Sequence, residues 1–398
     1  MGSVVAGAGV NPADQHWGFW PLLPLYPYGH RRTLVRELIP GEVWSFEQLQ
    51  GVLYVAVPIR MTVVRIREGL MLFAPVAATT ELLAELKDLE ARYGPVRTVV
   101  LPTSSGLEHK LPVPAMARAF PNAMVWVTPK QWSFPVSLPL AWLGFPSERL
   151  RVLFQQGVPH DEELEWQALG PLNLGLGWFM EAACIHRASG SLLMCDGLVA
   201  ISEEPPQLFE ADPKPLLFHA RERGEEPMLD SPERRARGWR RLVLFASYLR
   251  PEHLLVPGWP EVFAQSMRPG LRRPDAYFGI YPFRWDESWE EEFRSLVPEG
   301  ALTIQVAPVL ERLVLPRCRQ ALLTWLRSLA DAAEFRWLIP AHYSAPVPCD
   351  GEVLRRLASS IESRPWAPDQ GSWSTLARID ETLRRLGVVP EDPLAGSS

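Results

Sequence analysis

The chain has 398 residues, 47% of them hydrophobic, with 40 lysines and arginines against 46 aspartates and glutamates, a net charge of -6. This is the composition of a globular protein with a sizeable core, in one large domain or two ordinary ones, and it excludes the disordered and fibrous classes. The acidic balance argues against a general nucleic-acid or anionic-membrane binder, because both need a basic surface.

No stretch of about 18 apolar residues lacks charge or proline, so no membrane span is predicted. Residues Met1 to Gly9 carry no basic n-region and predict neither a secretory signal nor an Arg-rich transit peptide. The four cysteines, Cys184, Cys195, Cys318 and Cys349, form no CxxC pair. They read as reduced core thiols, which suits a cytoplasmic compartment.

Along the chain, residues 1–45 are expected to form an N-terminal arm around the aromatic and proline-rich run from Trp17 to Tyr28. Proline at that density forbids helix and breaks sheet ladders, which predicts an extended segment lying along the body. Three short strands are expected next, over 52–57, 61–67 and 70–75, with Arg67-Glu68-Gly69 as the turn between the last two. Thr79 or Thr80 then caps a helix in which Leu82, Leu86, Leu89 and Tyr93 recur at helical spacing, and Gly94-Pro95 ends it. The β-branched run 96–101 predicts a strand leading into the loop Thr103-Ser104-Ser105-Gly106-Leu107-Glu108-His109-Lys110. A short helix (115–120) and a strand (123–127) follow. This alternation predicts α/β layering with helices covering a sheet.

Further on, strands are expected at 179–186 and 191–194, joined by the turn Arg187 to Gly190. Residues 205–300 read as a largely helical insertion, whose helix 234–249 carries five arginines on what is expected to be a solvated face. Strand (302–306), helix (317–332) and strand (335–339) return, and the last ends in Pro340-Ala341-His342. A domain of 46–347 and a C-terminal helical tail of 348–398 complete the division. His219 reads as a core histidine, and His16, His30, His160 and His253 read as surface. Gly175-Leu176-Gly177 precedes a strand and is no phosphate loop, and neither a nucleophile elbow nor a Walker motif occurs.

Several segments together resemble a known family. They are Met61 to Arg65, Gly106 to Lys110, Gln131 to Pro135, Leu216 to Arg221, Pro282 to Trp285 and Ile339 to His342. The family is the domain of unknown function DUF4336 of cyanobacteria and chloroplasts, related to the metallo-β-lactamase fold, and the resemblance runs from roughly Phe19 to Pro346. It implies a four-layer αββα sandwich with any site at one edge, where loops of both sheets meet. The metallo-β-lactamase fold writes its first metal loop as H-x-H-x-D-H. Laid over this chain, the two leading histidines fall on Ser104 and Gly106, and the acid-histidine pair falls on Glu108 and His109. The resemblance further matches Asp196 to a bridging acid and His342 to the last histidine. For the middle histidine of the first site it leaves Glu181 or His186, with Glu181 favoured.

The resemblance thus implies that half of a two-metal site is gone. Glu108, His109, Asp196 and His342 remain, two nitrogens and two carboxylates suited to one divalent zinc, iron or manganese. Two functions compete on this ground. One is a degenerate, non-catalytic binding or assembly factor of photosynthetic cells, cytoplasmic in a bacterium and plastid-located in a eukaryote, with the N-terminal arm as a surface for a protein partner. The other is a mononuclear metal-dependent hydrolase or redox enzyme, with Asp196 or Glu181 as proton acceptor. Convergence of the four side chains on one solvent-facing pocket favours the second. A salt-bridged Glu108 and a packed His342 favour the first.

Overall fold

In a computed structural model of the chain, residues 11–18, 25–52, 54–131, 138–175, 177–271 and 278–390 are described. One sheet has seven strands in sequence order: β1 (Leu34–Ile39), β2 (Val43–Val52), β3 (Val55–Ile66), β4 (Gly69–Phe73), β5 (Val96–Leu101), β6 (Met124–Val127) and β7 (Leu150–Val152). The first four pair antiparallel and the rest are parallel. The parallel half needs crossovers, and helices α1 (Thr80–Tyr93) and α2 (Val113–Ala119) supply two of them. As the spacing predicts, α1 starts at Thr79, whose hydroxyl accepts the Leu82 N–H, and ends at Gly94 in a positive-φ conformation. It buries Leu82, Leu86 and Leu89 against the outer face of this sheet, beside Val113, Met116 and Ala117 of α2.

The second sheet begins with β8 (Leu164–Asn173), β9 (Trp178–His186) and β10 (Ser191–Met194). After β10 the chain leaves it for a long excursion. That contains β11 (Val199–Ser202), α3 (Leu208–Ala211), α4 (Lys214–His219), α5 (Pro232–Tyr248), β12 (Leu254–Leu255), α6 (Trp259–Ser266), β13 (Arg284–Trp285), α7 (Trp289–Leu296), β14 (Leu302–Gln305) and α8 (Pro308–Leu313). Helix α9 (Arg319–Ala330) leads back to β15 (Trp337–Pro340) and β16 (Val347–Pro348), which complete the sheet in the order β16-β15-β10-β9-β8. Helices α10 (Gly351–Ser363) and α11 (Ser374–Arg385) end the described chain.

Packing fixes the layer order. Val64, Met71, Phe73 and Val100 of the first sheet pack against Ala182, Cys184, Leu193 and Ile339 of the second. The outer face of the second sheet is covered by Leu322, Leu326 and Leu329 of α9 with Leu354, Ala358 and Ile361 of α10. The molecule is a four-layer αββα sandwich, and strands with both faces covered read as near-continuous apolar runs, as β9 and β10 do. The excursion builds its own core around Trp239, Leu242, Phe218 and Phe293.

Three expectations are corrected. Residues 34–45, read as part of an extended arm, supply β1 and the start of β2. The strand read over 52–57 straddles the turn between β2 and β3. Strand β2 escaped notice because Glu47, Gln48 and Gln50 break its apolar pattern, yet Glu47 and Gln48 are buried and paired. The face of α5 read as solvated includes Arg241, which is buried and donates to the carbonyls of His219 and Arg221 and to Glu222. Of the proline-rich run, residues 19–24 lie outside the described residues.

Helix α5 meets α4 at Gly238, where an added Cβ would stand 1.9 Å from the Leu216 carbonyl oxygen. Gly238→Ala is therefore expected to cost about 1–3 kcal/mol, read as a lowered urea midpoint. An unchanged midpoint would show that these helices do not approach so closely. No helix among the described residues is long and apolar enough to cross a membrane.

Candidate metal centre

The site lies at the sandwich edge where the β5 loop, the end of β10 and the end of β15 meet. Backbone hydrogen bonds fasten the loop to the second sheet: Ala182 donates to Pro102 O at 2.7 Å and Ser104 donates to Met180 O at 2.9 Å. Gln131 Nε2 donates to Thr103 O, and Lys110 Nζ donates to the carbonyls of Ser104 and Gln131. On the opposite side Ile59 forms an isolated bridge to His342, whose Nδ1 lies 3.3 Å from Pro58 O. Both sheets therefore hold the loops that carry the polar cluster.

His109 is fully buried. Its Nδ1 lies 3.0 Å from Pro75 O and 3.1 Å from Ala74 O, so this nitrogen carries the proton as a donor to two carbonyls. The Nε2 lone pair is then free, and that buried atom has no hydrogen-bond partner. Burial is the largest influence on this imidazole and lowers its pKa below the ordinary value, keeping it neutral, the form that ligates metals. Ligand-type atoms of Glu108, His109 and His342 all lie within 4.8 Å of one another. Glu108 and His342 are half-buried.

Asp196 stands beside this trio. Its Oδ1 lies 3.2 Å from His342 Nε2, and its Oδ2 accepts from Ser105 Oγ at 2.7 Å and Thr103 Oγ1 at 3.0 Å. Burial alone would raise its carboxyl pKa. The bond from His342, the charge of His342 and the Ser105 hydroxyl outweigh that and hold it well below the usual carboxylate range. Burial likewise pulls His342 down, but the hydrogen bond and charge of Asp196, then the Glu108 charge and Pro58 O, raise it above its ordinary value. Below the raised His342 value the two form an ion pair.

The structure thus brings Glu108, His109 and His342 together and sets Asp196 on His342. Glu181, favoured for the middle-histidine place, is instead completely buried and accepts the N–H groups of Cys195, Asp196 and Gly197. It shapes the turn that carries Asp196. Burial and the Asp196 charge push its carboxyl up to about 8, against the pull of these three donors. His186 is bonded to Ser189 Oγ at 2.8 Å, away from the cluster. His219 is buried among Phe218, Phe245 and Phe283, as a core histidine should be.

The two positions where histidines are absent do other work. Ser104 Oγ donates to Trp178 O and accepts from Met180 N. At Gly106, φ is +67° and an added Cβ would fall 2.3 Å from Glu108 Oε1. A side chain at 106 would displace the Glu108 carboxylate. Thr103, Ser105 and Pro58 escaped sequence reasoning. Two small hydroxyl residues just after a strand end were the available signal.

Beside the cluster is a pocket of 270 Å³. Glu108, Asp196 and His342 form its polar end, and Val57, Val199, Ile201, Ala246, Val309 and Leu310 its walls, so the excursion between β10 and α9 roofs the site.

None of the curated proteins compared matches this sequence. Solved structures to which the chain is similar include a metallo-beta-lactamase from Pontibacter korlensis, at 12% identity over 84% of this chain and 100% of that one, with a TM-score of 0.36. A mutant flavo di-iron protein from Thermotoga maritima is similar at 10% identity over 83% of this chain and 62% of that one, with a TM-score of 0.42. A mono-zinc metallo-beta-lactamase from Pseudomonas aeruginosa is similar at 10% identity over 83% and 97%, with a TM-score of 0.35. The family described as "Domain of unknown function (DUF4336)" matches residues 40–359, and the chain belongs to it.

Proposed function

We propose that this protein is a mononuclear metal-dependent hydrolase that holds one divalent cation with Glu108, His109 and His342, with Asp196 alongside. The observation that carries this reading is the His109 ring, with one nitrogen bound to two carbonyls and the other buried and unpartnered beside Glu108 and His342. A metal-ligating histidine usually gives its second N–H to a carbonyl or carboxylate in this way. Two nitrogens and one carboxylate also leave a coordination position open.

A divalent zinc, iron or manganese bound there would polarise a substrate carbonyl and bring the pKa of a bound water toward 7. The chain's own part is positional. Thr103 and Ser105 orient the Asp196 carboxylate as proton acceptor, and the apolar walls line the substrate's side of the pocket. A second reading, a non-catalytic binding or assembly role, is favoured by Ser104 and Gly106, whose side chains supply no second metal position.

Metal content by mass spectrometry tests the proposal, on protein purified without chelator and without an affinity metal. Near-stoichiometric metal is expected in the wild type, with at least tenfold loss in His109→Ala and in His342→Ala. Circular dichroism serves as the folding control. A wild type that takes up no metal on reconstitution would overturn it.

A further inference from the structure

Large apolar side chains exposed one at a time are normal on a protein surface, and helix α6 departs from that pattern. Val262 and Ser266 fix it to the body. On its outer face Trp259 is 59% exposed, Phe263 53% and Met267, at the C-cap, 64%. The three recur every four residues and so share one side of the helix. The Trp259 and Phe263 rings pack together, with centroids 5.8 Å apart. Among the described residues no other α-helix, caps included, exposes more than one large apolar side chain. Leu255 and Val256 just before α6 are also about half-exposed. So is Phe278, which adjoins Gly279 where the chain passes against Ser266 of α6.

The charges at the two ends of this face select its occupant. Past the C-terminus of α6, Arg268 pairs with Glu225 at 2.6 Å, and in its first turn Glu261 pairs with Arg284 at 2.6 Å. Each end thus carries one arginine and one glutamate, all four partly exposed. A rim of both signs in equal number attracts neither an anionic bilayer nor a partner of a single charge sign, and the chain's net charge of -6 repels the bilayer. The face is complementary to itself instead. About a two-fold axis through Phe263, an antiparallel second copy sets Phe263 on Phe263 and each Trp259 on a Met267, a favourable sulfur-aromatic contact. The same rotation lays the Arg268–Glu225 end of one copy over the Glu261–Arg284 end of the other, where opposite charges meet. We infer that this face is the contact of a symmetric homodimer, with α6 antiparallel to α6 of the second copy. A standard interface takes about 800 Å² from each partner, which the flanking Leu255, Val256 and Phe278 help to supply. Neither the metal nor the reaction enters this inference, so it stands or falls apart from the proposed hydrolase.

Sedimentation velocity on the full chain over a concentration series tests it. The wild type is expected to sediment as a dimer that dissociates on dilution. Phe263→Glu sets two like charges on the axis and is expected to weaken the dimer by roughly a hundredfold, with an unchanged circular dichroism spectrum. Cross-linking reads the geometry itself. Phe263→Cys, on the axis, is expected to form a disulfide-linked dimer under mild oxidation, whereas the wild type forms none. Trp259→Cys mixed with Met267→Cys should cross-link, and each alone should not. A wild type that stays monomeric at its solubility limit would overturn the inference. So would a dimer that survives Phe263→Glu, or one in which Phe263→Cys fails to cross-link, since either places the contact elsewhere. Monomeric wild type that binds phosphatidylcholine vesicles, with binding lost in Phe263→Glu, would assign the face to lipid and equally overturn it.

Discussion

Replacing Glu47 by alanine is expected to destabilise the protein by about 3–5 kcal/mol, the usual effect of leaving a buried charge without its partner. Glu47 of β2 and Arg60 of β3 are direct cross-strand neighbours, each 1% exposed. Arg60 Nε donates to Glu47 Oε1 at 2.9 Å, and Arg36 shares the same oxygen. The arginines then reach across to the second sheet: Arg60 donates to Pro340 O at 2.5 Å and Tyr343 O at 2.6 Å, and Arg36 to Ala345 O at 3.1 Å. Burial works against the Glu47 carboxylate, but Arg60 and Arg36 more than offset it and lower its pKa. Its contribution is therefore full above the unfolded value of about 4.5 and is lost as pH falls through the depressed folded value. Since Pro340 to Tyr343 carries His342, Glu47→Ala is also expected to weaken metal uptake from a distance. Urea denaturation measures the first effect and metal titration the second. In a double-mutant cycle, Glu47→Ala with Arg60→Met should cost less than the two single changes summed, because the only charge left without its carboxylate is that of the partly exposed Arg36. A loss below about 1 kcal/mol in Glu47→Ala would show that the pair is not desolvated.

That network was hidden in the sequence for a physical reason. Glu47 and Arg60 are polar residues inside strands, and read singly they suggest a solvated edge. Only sheet pairing, which sets them opposite each other and buries both, turns them into a strut. Helix α1 was legible because its signals are local: the cap at Thr79, the 3.6-residue apolar spacing and the stop at Gly94. Glu108 and His109 were legible as an adjacent pair after a strand, and Asp196 and His342 through the resemblance. That Asp196 bonds to His342 across 146 residues was not, since nothing local encodes the meeting of two strand ends. Glu181 illustrates the opposite error. An acid near the site was read as a ligand, whereas its two oxygens are occupied by three backbone donors of the turn it supports. The roof of the pocket was likewise beyond sequence reasoning, because Ala246 and Val309 are ordinary apolar residues until α5 and α8 fold over the cluster.

Asp196→Asn is expected to move the His342 titration down from above 6.5 toward or below that value, and to cost about 3 kcal/mol at a pH below the raised His342 value, the lower end of the range for a broken buried pair. The His342 and Asp196 side chains are 15% and 10% exposed, so solvent screens the pair only weakly. His342 has a folded pKa above its unfolded one. Its contribution is full below about pH 6.5 and disappears as pH rises through the raised value. Asp196 has a depressed folded pKa, so its contribution is full above about 3.8 and disappears as pH falls through the folded value. The pair therefore stabilises the fold between those limits, and the difference between wild type and Asp196→Asn in urea should be largest there and shrink at high pH. Burial remains in the variant while the countercharge is gone, so the imidazole must become easier to deprotonate. The same proton competes with a cation for the His342 lone pair. Wild-type metal affinity should accordingly climb as pH rises past 6.5, and in Asp196→Asn that climb should begin at lower pH, whatever the final plateau. The His342 ring proton, followed by NMR across the titration, reads the shift directly. An unchanged midpoint would mean that Glu108 and Pro58, not Asp196, hold the charge on His342.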